Sequence, residues 1–303
     1  MPWRTVCALS VFICRLLLAI VMPSSPLHLS EYLNCAISAA RAGAAILQSY
    51  AHQQRDALVI DEKALNDLVS QADREAELCI VEHLQEGTPR FDIVAEESGR
   101  HPGGGQATWY IDPLDGTTNF LHGIPHYAVS IGLIAQPGSQ LAGQAPFEHE
   151  TPVLAIVYDP CREELFTAMY GVGAWLNEHR IHCSAAPSLD RAVLATGLPF
   201  RDFSFADQYE PMLHDAIRCT RGIRRMGAAA LDLAWVACGR YDGYWEMGLA
   251  PWDVAAGTLL VREAGGVAAD MRGRHAWPRD GELYSGNPQV AEALLRLIQP
   301  HLR

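Results

Sequence analysis

The chain has 303 residues, 49% of them apolar, enough to bury one large core or two modest ones, which excludes a disordered or fibrous protein. Lys plus Arg total 23 against 35 Asp plus Glu, and the net charge of −12 would repel a phosphate backbone rather than release its counterions. Nucleic acid is therefore not expected as the primary ligand, and no membrane partner is expected either. Lys63 is the only lysine; all other Lys/Arg positions are arginine.

The first residues differ from the rest. Val6 to Met22 is largely apolar and follows Arg4, as in a signal peptide, but Arg15 interrupts the run and no small-x-small cleavage site precedes Pro23. A membrane span would need about 20 clean apolar residues. The expectation is a cytoplasmic protein whose true start is Met22, with residues 1–26 an atypical extension; export is the alternative.

From Ser30 to about Gln53, Leu33, Ile37, Ala40, Ala44 and Leu47 recur at helical spacing, with Ser30 placed as the cap. A second helix is predicted from Ala72 to Glu86, stopped by Gly87. Trp109 to Ile111, Tyr127 to Ile134, Val153 to Tyr158 and Glu164 to Met169 have the β-branched and aromatic content of strands. Gln136 to Pro152, rich in Gly, Pro and Gln, reads as a long hairpin connection or an exposed insertion, and divides the chain into halves of about 27–150 and 151–298. A strand near Val193, helices at Ala206 to Arg218 and Ala228 to Cys238, a strand at Tyr241 to Glu246 and a helix opening after Asp253 complete the pattern. Strands mixed with helices in both halves predict a layered α/β or α+β fold. Eight cysteines without a CxxC pair are expected to be reduced, buried thiols.

Four segments carry chemistry. In Ile111-Asp112-Pro113-Leu114-Asp115-Gly116-Thr117-Thr118-Asn119-Phe120, two carboxylates three apart at a strand end can face one cavity together with the Leu114 carbonyl, a hard-oxygen site suited to Mg²⁺. Gly116 and Thr117 then offer backbone N–H groups to an anionic phosphate at a helix start. An Asx turn and a helix cap would use the same residues. In Ala95-Glu96-Glu97-Ser98-Gly99 adjacent side chains diverge on extended backbone, so one glutamate at most joins a shared site. Asp253, after Pro251-Trp252 and before a helical run, has the position of an N-cap, and its second oxygen could face a metal; Trp252 reads as core. Lys63 and Asp73 lie in a loop and at the following helix start, where a surface lysine and a capping aspartate would look the same.

Together these segments resemble the inositol monophosphatase family of metal-dependent, lithium-sensitive phosphatases. The resemblance runs from about Leu27 to Ile298 as one domain and includes Val157-Tyr158-Asp159-Pro160, Gly173-Ala174-Trp175-Leu176-Asn177 and Ala228-Ala229-Ala230-Leu231-Asp232; the stretch from Gly138 to Glu150 falls outside the pattern. The Thr117-Thr118-Asn119-Phe120 string is similar to the inositol monophosphatase branch rather than the nucleotidase or histidinol-phosphate branches, and Arg224-Arg225-Met226-Gly227 is similar to its bacterial subgroup. The resemblance implies a layered α/β sandwich of the sugar-phosphatase type and a homodimer hydrolysing myo-inositol 1-phosphate and related polyol phosphates with two or three Mg²⁺, inhibited by Li⁺. By the same resemblance Glu96, Asp112, the Leu114 carbonyl, Asp115 and Asp253 hold the cations, with Asp73 in the outer part of the cluster. Glu96 and Thr117 orient the attacking water; Gly116, Asp115, Asp253, Arg224, Ala229 and Glu246 meet the substrate; and Lys63 lies on a mobile loop. A sugar bisphosphatase, a histidinol-phosphate phosphatase and a phosphatase-like scaffold that binds a macromolecule are the alternatives.

Overall fold

The computed structural model describes residues 26–52, 60–64, 67–199 and 202–303, with the strands before Ser70 given as backbone alone. The extension expected at 1–26 thus lies outside the described residues but for Pro26. Helix α1 (Leu29–His52) begins one residue before Ser30, so Ser30 sits in the first turn and does not cap it. A short antiparallel ribbon, β1 (Ile60–Ala64) and β2 (Asp67–Ser70), leads into α2 (Gln71–Gly87). The ribbon takes up most of the segment read as a loop around Lys63.

The main sheet has eight strands in the order β10-β9-β8-β7-β6-β5-β3-β4, antiparallel throughout except for the parallel β3/β5 pair. Its members are β3 (Asp92–Ala95), β4 (Gly99–His101), β5 (Ala107–Asp115), β6 (Ala128–Ala135), β7 (Thr151–Asp159), β8 (Glu164–Met169), β9 (Gly173–Leu176) and β10 (His179–Arg180). The segment between β6 and β7 is a hairpin connection, because those strands are antiparallel neighbours. A second sheet of five strands, ordered β12-β11-β13-β15-β14, is built from β11 (Val193–Thr196), β12 (Gly222–Arg224), β13 (Gly243–Glu246), β14 (Val267–Asp270) and β15 (Leu283–Gly286).

Helices separate and cover the sheets. α1 and α2 pack on one face of the main sheet; α5 (Ala229–Ala237) and α6 (Pro251–Glu263) fill the space between the two sheets; α4 (Ala206–Cys219) and α7 (Pro288–Ile298) cover the far face of the smaller one. The result is a five-layer α/β/α/β/α sandwich, as the mixed pattern of strands and helices predicts. Covered on both faces, β6 is buried at every position, Ala-Val-Ser-Ile-Gly-Leu-Ile-Ala, which explains why it reads as a continuous apolar run. Its small residues are functional in packing: a Cβ at Gly132 would come within 2.8 Å of Ala255 Cβ and Ala256 N, so glycine lets α6 lie directly on the strand. No helix among the described residues is long and apolar enough to cross a membrane.

Two expectations change. The six cysteines in the described region are free thiols, but Cys161 and Cys219 are exposed and Cys35, Cys79, Cys183 and Cys238 are half-buried, with Cys35, Cys183 and Cys238 packed at the margins of the apolar clusters rather than inside them. Burial still pushes the Cys183 thiol up to about 12 and raises Cys161, opposite to what a nucleophilic thiolate needs. Trp252 is half-buried rather than core, contributing its carbonyl to Ser130 Oγ at 3.3 Å.

Candidate active site

β5 is a strand with a defect at its end. Pairing with β6 is regular through Asp112↔Ser130 and then slips before Asp115↔Ala128, because Pro113 has no N–H to give the ladder. The bulge aims Asp112 and Asp115 into one place. Asp112 Oδ1 accepts the Leu114 N–H at 2.9 Å, and Gly116 follows at φ 96°, a left-handed conformation that starts helix α3 (Thr117–His122). Asp115 is met from the second half of the chain: its Oδ1 and Oδ2 accept the backbone N–H groups of Ala229 and Ala230 at 3.2 and 2.8 Å, so it occupies the N-terminus of α5.

The Thr117 hydroxyl lies 3.1 Å from the Leu114 carbonyl and 3.2 Å from Asp73 Oδ1, and its single proton can serve one of them at a time. Asp73 belongs to the capping box of α2, with Oδ2 accepting from Ser70 N at 2.9 Å and bonded to Ser70 Oγ. Asp253 is at the third position of α6, not at its cap. Ala250 is the cap residue, and Asp253 Oδ2 turns back to accept its N–H at 2.7 Å. Tyr244 donates its hydroxyl to Glu246 at the end of β13.

These elements enclose a cavity of about 490 Å³. Glu96, Asp112, Leu114, Asp115, Gly116, Thr117, Ala229, Glu246 and Asp253 all line it, and Glu97 does not. Asp73 stands behind Thr117 rather than on the wall. Arg224 is exposed, with a guanidinium donating to the Ile223 carbonyl, and the cavity is met instead by Arg225. The physical reason is the alternation of extended backbone: where Arg224 points away from the cavity, its neighbour points in. The side chain of Lys63, on β1, lies outside the described residues. Asn119, His122, Gly197 and Gly227 also belong to the wall. The Asn119 side-chain amide donates to the His126 and Met226 carbonyls, both at 2.8 Å, which ties α3 to the chain that carries Arg225.

The electrostatics of this wall are unfavourable without a partner. Burial, then the charges of Glu96, Asp115 and Asp253, pushes Asp112 well above the ordinary carboxylate range. Burial and Asp253 raise Asp115 to about 8 despite its two backbone donors, and burial raises Glu246 to about 7. Among the described lining residues Arg225 alone has a permanent positive charge. Hard oxygen donors packed this closely fit a divalent cation, which would replace the protons that the cluster otherwise retains. Among the described residues no three His, Cys, Asp or Glu side chains form a finished cage; the donors form an open wall, the arrangement that suits a cation keeping some of its own waters.

Comparison with known proteins agrees with this geometry. The sequence pattern of the inositol monophosphatase family matches residues 28–303. The chain is similar to Nus factor SuhB of Pseudomonas aeruginosa, 46% identical over 276 residues that cover 89% of this chain and 96% of the relative. Among solved structures it is similar to extragenic suppressor protein suhB of Bartonella henselae (TM-score 0.78, 40% identity, covering 89% and 98% of the two chains). It is likewise similar to an inositol monophosphatase from Anabaena (TM-score 0.73, 34% identity, covering 90% and 96%). A site of converging carboxylates on a five-layer sandwich, matched over nearly the whole described chain, makes this protein a member of the inositol monophosphatase family of phosphatases.

Proposed function

We propose that the protein is a Mg²⁺-dependent phosphomonoesterase acting on myo-inositol 1-phosphate and related polyol phosphates. The observation that carries the reading is the meeting of Glu96, Asp112, Asp115 and Asp253 with Thr117 and Glu246 around one cavity. Glu96, Asp112, the Leu114 carbonyl, Asp115 and Asp253 would hold two or three cations, with Asp73 behind them. When bound, the cations supply charge neutralisation for the phosphate oxygens and acidify the attacking water.

The chain's own groups do the rest. Glu96 accepts a proton from the attacking water, whose oxygen bonds to phosphorus as the bond to the alcohol oxygen breaks, and the alcohol leaves with a proton from solvent. The Thr117 hydroxyl orients the water while donating a hydrogen bond to Asp73 or to the Leu114 carbonyl. Gly116 and Thr117 present backbone N–H groups to the phosphate. Glu246, Asp115 and Asp253 accept hydrogen bonds from hydroxyls of the alcohol half, with Ala229 beside them and Arg225 in the place proposed for Arg224. No side chain needs to be phosphorylated, and Li⁺ is expected to inhibit by competing for the cation sites. A homodimer in the cytoplasm belongs to the same reading, with Lys63, on β1, serving near the outer cation.

Phosphate release tests this on a panel of inositol 1-phosphate, fructose 1,6-bisphosphate, histidinol phosphate and an aryl phosphate, with Mg²⁺ and with excess chelator. Turnover should depend on Mg²⁺ and be greatest on the inositol ester. Equal turnover in chelator would overturn the metal mechanism, and preference for a bisphosphate or histidinol phosphate would reassign the substrate. A second reading is favoured by the relatives named Nus factor: a macromolecule-binding role on the same fold. No turnover on any ester with Mg²⁺ present would favour it.

A further inference from the structure

Glu246 ends β13, and the structure determines where its buried carboxylate can lie from two sides. Tyr244, two residues earlier and so on the same face of the strand, donates its hydroxyl to Glu246 Oε2. That leaves Oε1 for an incoming hydroxyl. The other side is the backbone of Gly197, the residue after β11, which runs parallel to β13 with Thr196 opposite Trp245. A Cβ at Gly197 would fall closer than 3.0 Å to Cδ and both oxygens of Glu246, a distance real Cβ atoms do not show.

Gly197 is absent from the positive-φ positions, so its backbone conformation suits any residue. What demands glycine is the approach of the carboxylate. Nor can the backbone retreat freely, because the Thr196 hydroxyl is bonded to the Trp245 carbonyl at 2.7 Å and to the Tyr209 hydroxyl at 2.6 Å, pinning the end of β11 to β13.

We propose that Gly197 and Tyr244 form a seat for Glu246 and are positioning residues that set which alcohol is accepted: a phosphomonoester with a hydroxyl near the ester oxygen, over an aryl phosphate that lacks one. The proposal rests on Glu246 being the acceptor for substrate hydroxyls. A side chain at 197 forces the carboxylate forward into the cavity or off Tyr244. Tyr244→Phe frees it without adding volume.

The test is kcat/KM for inositol 1-phosphate and for p-nitrophenyl phosphate in Glu246→Ala, Gly197→Ala, Tyr244→Phe, and each seat variant combined with Glu246→Ala. The ratio of the two should fall about tenfold or more in Glu246→Ala, as expected when a hydroxyl-recognising group is lost. It should fall by a similar factor in Gly197→Ala and by less in Tyr244→Phe, with the change in KM for the inositol ester. In the Glu246→Ala background either seat variant should change the ratio less than about twofold, since the group they position is gone. An unchanged ratio in Glu246→Ala would refute the underlying reading of Glu246. A changed ratio there, with no change in the seat variants or with their full effect persisting in the double variants, would refute the seat alone. Should Gly197→Ala fail to fold, the Tyr244→Phe cycle decides by the same criteria.

Discussion

Asp112 holds a turn together and at the same time faces three other carboxylates, so a change there separates structure from chemistry. Asp112→Asn keeps the acceptor for Leu114 N and removes one charge from a repelling cluster. kcat should drop by roughly two orders of magnitude or more, the scale of losing one electrostatic stabiliser, while the metal-free Tm does not fall. An unfolded variant, or one with near-normal turnover, would make Asp112 a turn residue only. His126 shows the opposite electrostatics. It is 1% exposed, its ring lies edge-on to Trp235, neither ring nitrogen has a hydrogen-bond partner, and burial together with Arg162 lowers its pKa from 6.5 to about 4. As pH falls below 6.5 the unfolded chain takes up the proton first, so stability rises with pH between about 4 and 6.5 and is lost on acidification, by about 3 kcal/mol. In urea melts across that range, His126→Phe should flatten the acid limb; an unchanged slope would show that His126 is not its source.

At the scale of elements, the site depends on a strand defect and a close crossing. Pro113 was visible in the sequence as a break between two aspartates, but the register slip it causes needs β6 as a partner. Gly132 is the other device. Gly132→Val would drive a branched side chain into Ala255 and Ala256, two and three residues beyond Asp253 at the start of α6. Overpacking should cost about 1–3 kcal/mol. The Mg²⁺ concentration for half-activation should also rise, because α6 carries Asp253 with it. A Mg²⁺ titration beside a thermal melt checks both, and superimposable activation curves would show that the crossing does not position Asp253. Two helices of the second half were legible to within a residue or two: Ala206 to Arg218 against Ala206–Cys219, and Ala228 to Cys238 against Ala229–Ala237. α6 opens at Pro251 rather than after Asp253, and α7 (Pro288–Ile298) was not among the predicted elements. The exact caps were not. Ser30 and Asp253 have capping chemistry, but which residue takes the cap depends on where the first turn is anchored, and Asp253 serves from inside the helix by accepting the Ala250 N–H.

For the whole molecule, the carboxylate wall makes stability depend on pH and on cations together. Asp115 at about 8, against 3.8 for an ordinary aspartate, means that the folded protein still holds a proton the unfolded chain has released between those values. Without cations, this group's contribution therefore falls as pH rises through that window. Mg²⁺ should reverse the trend by replacing the proton. Its stabilisation should be larger at pH 8 than at pH 5.5, reaching about 2.7 kcal/mol at a hundred times its Kd. Thermal melts with and without Mg²⁺ at both pH values test this; a Mg²⁺ shift that is equal at both, or absent, would remove the cluster as a cation site.

The sequence by itself determined the fold class, most elements and the residue types of the site, because hydrophobic period, glycine and proline punctuation and the Asp112 to Phe120 string are all local. Three-dimensional packing alone decided which of these residues meet. Asp115 finds its two donors 114 and 115 positions away, on α5, and Arg225 rather than Arg224 reaches the cavity. Gly197, unremarkable on β11's trailing end, proves to lie against Glu246 on a neighbouring strand. Contacts of that span arise only when two sheets and the helices between them close on one another, since no local preference encodes the distance between residues that the chain brings together by folding.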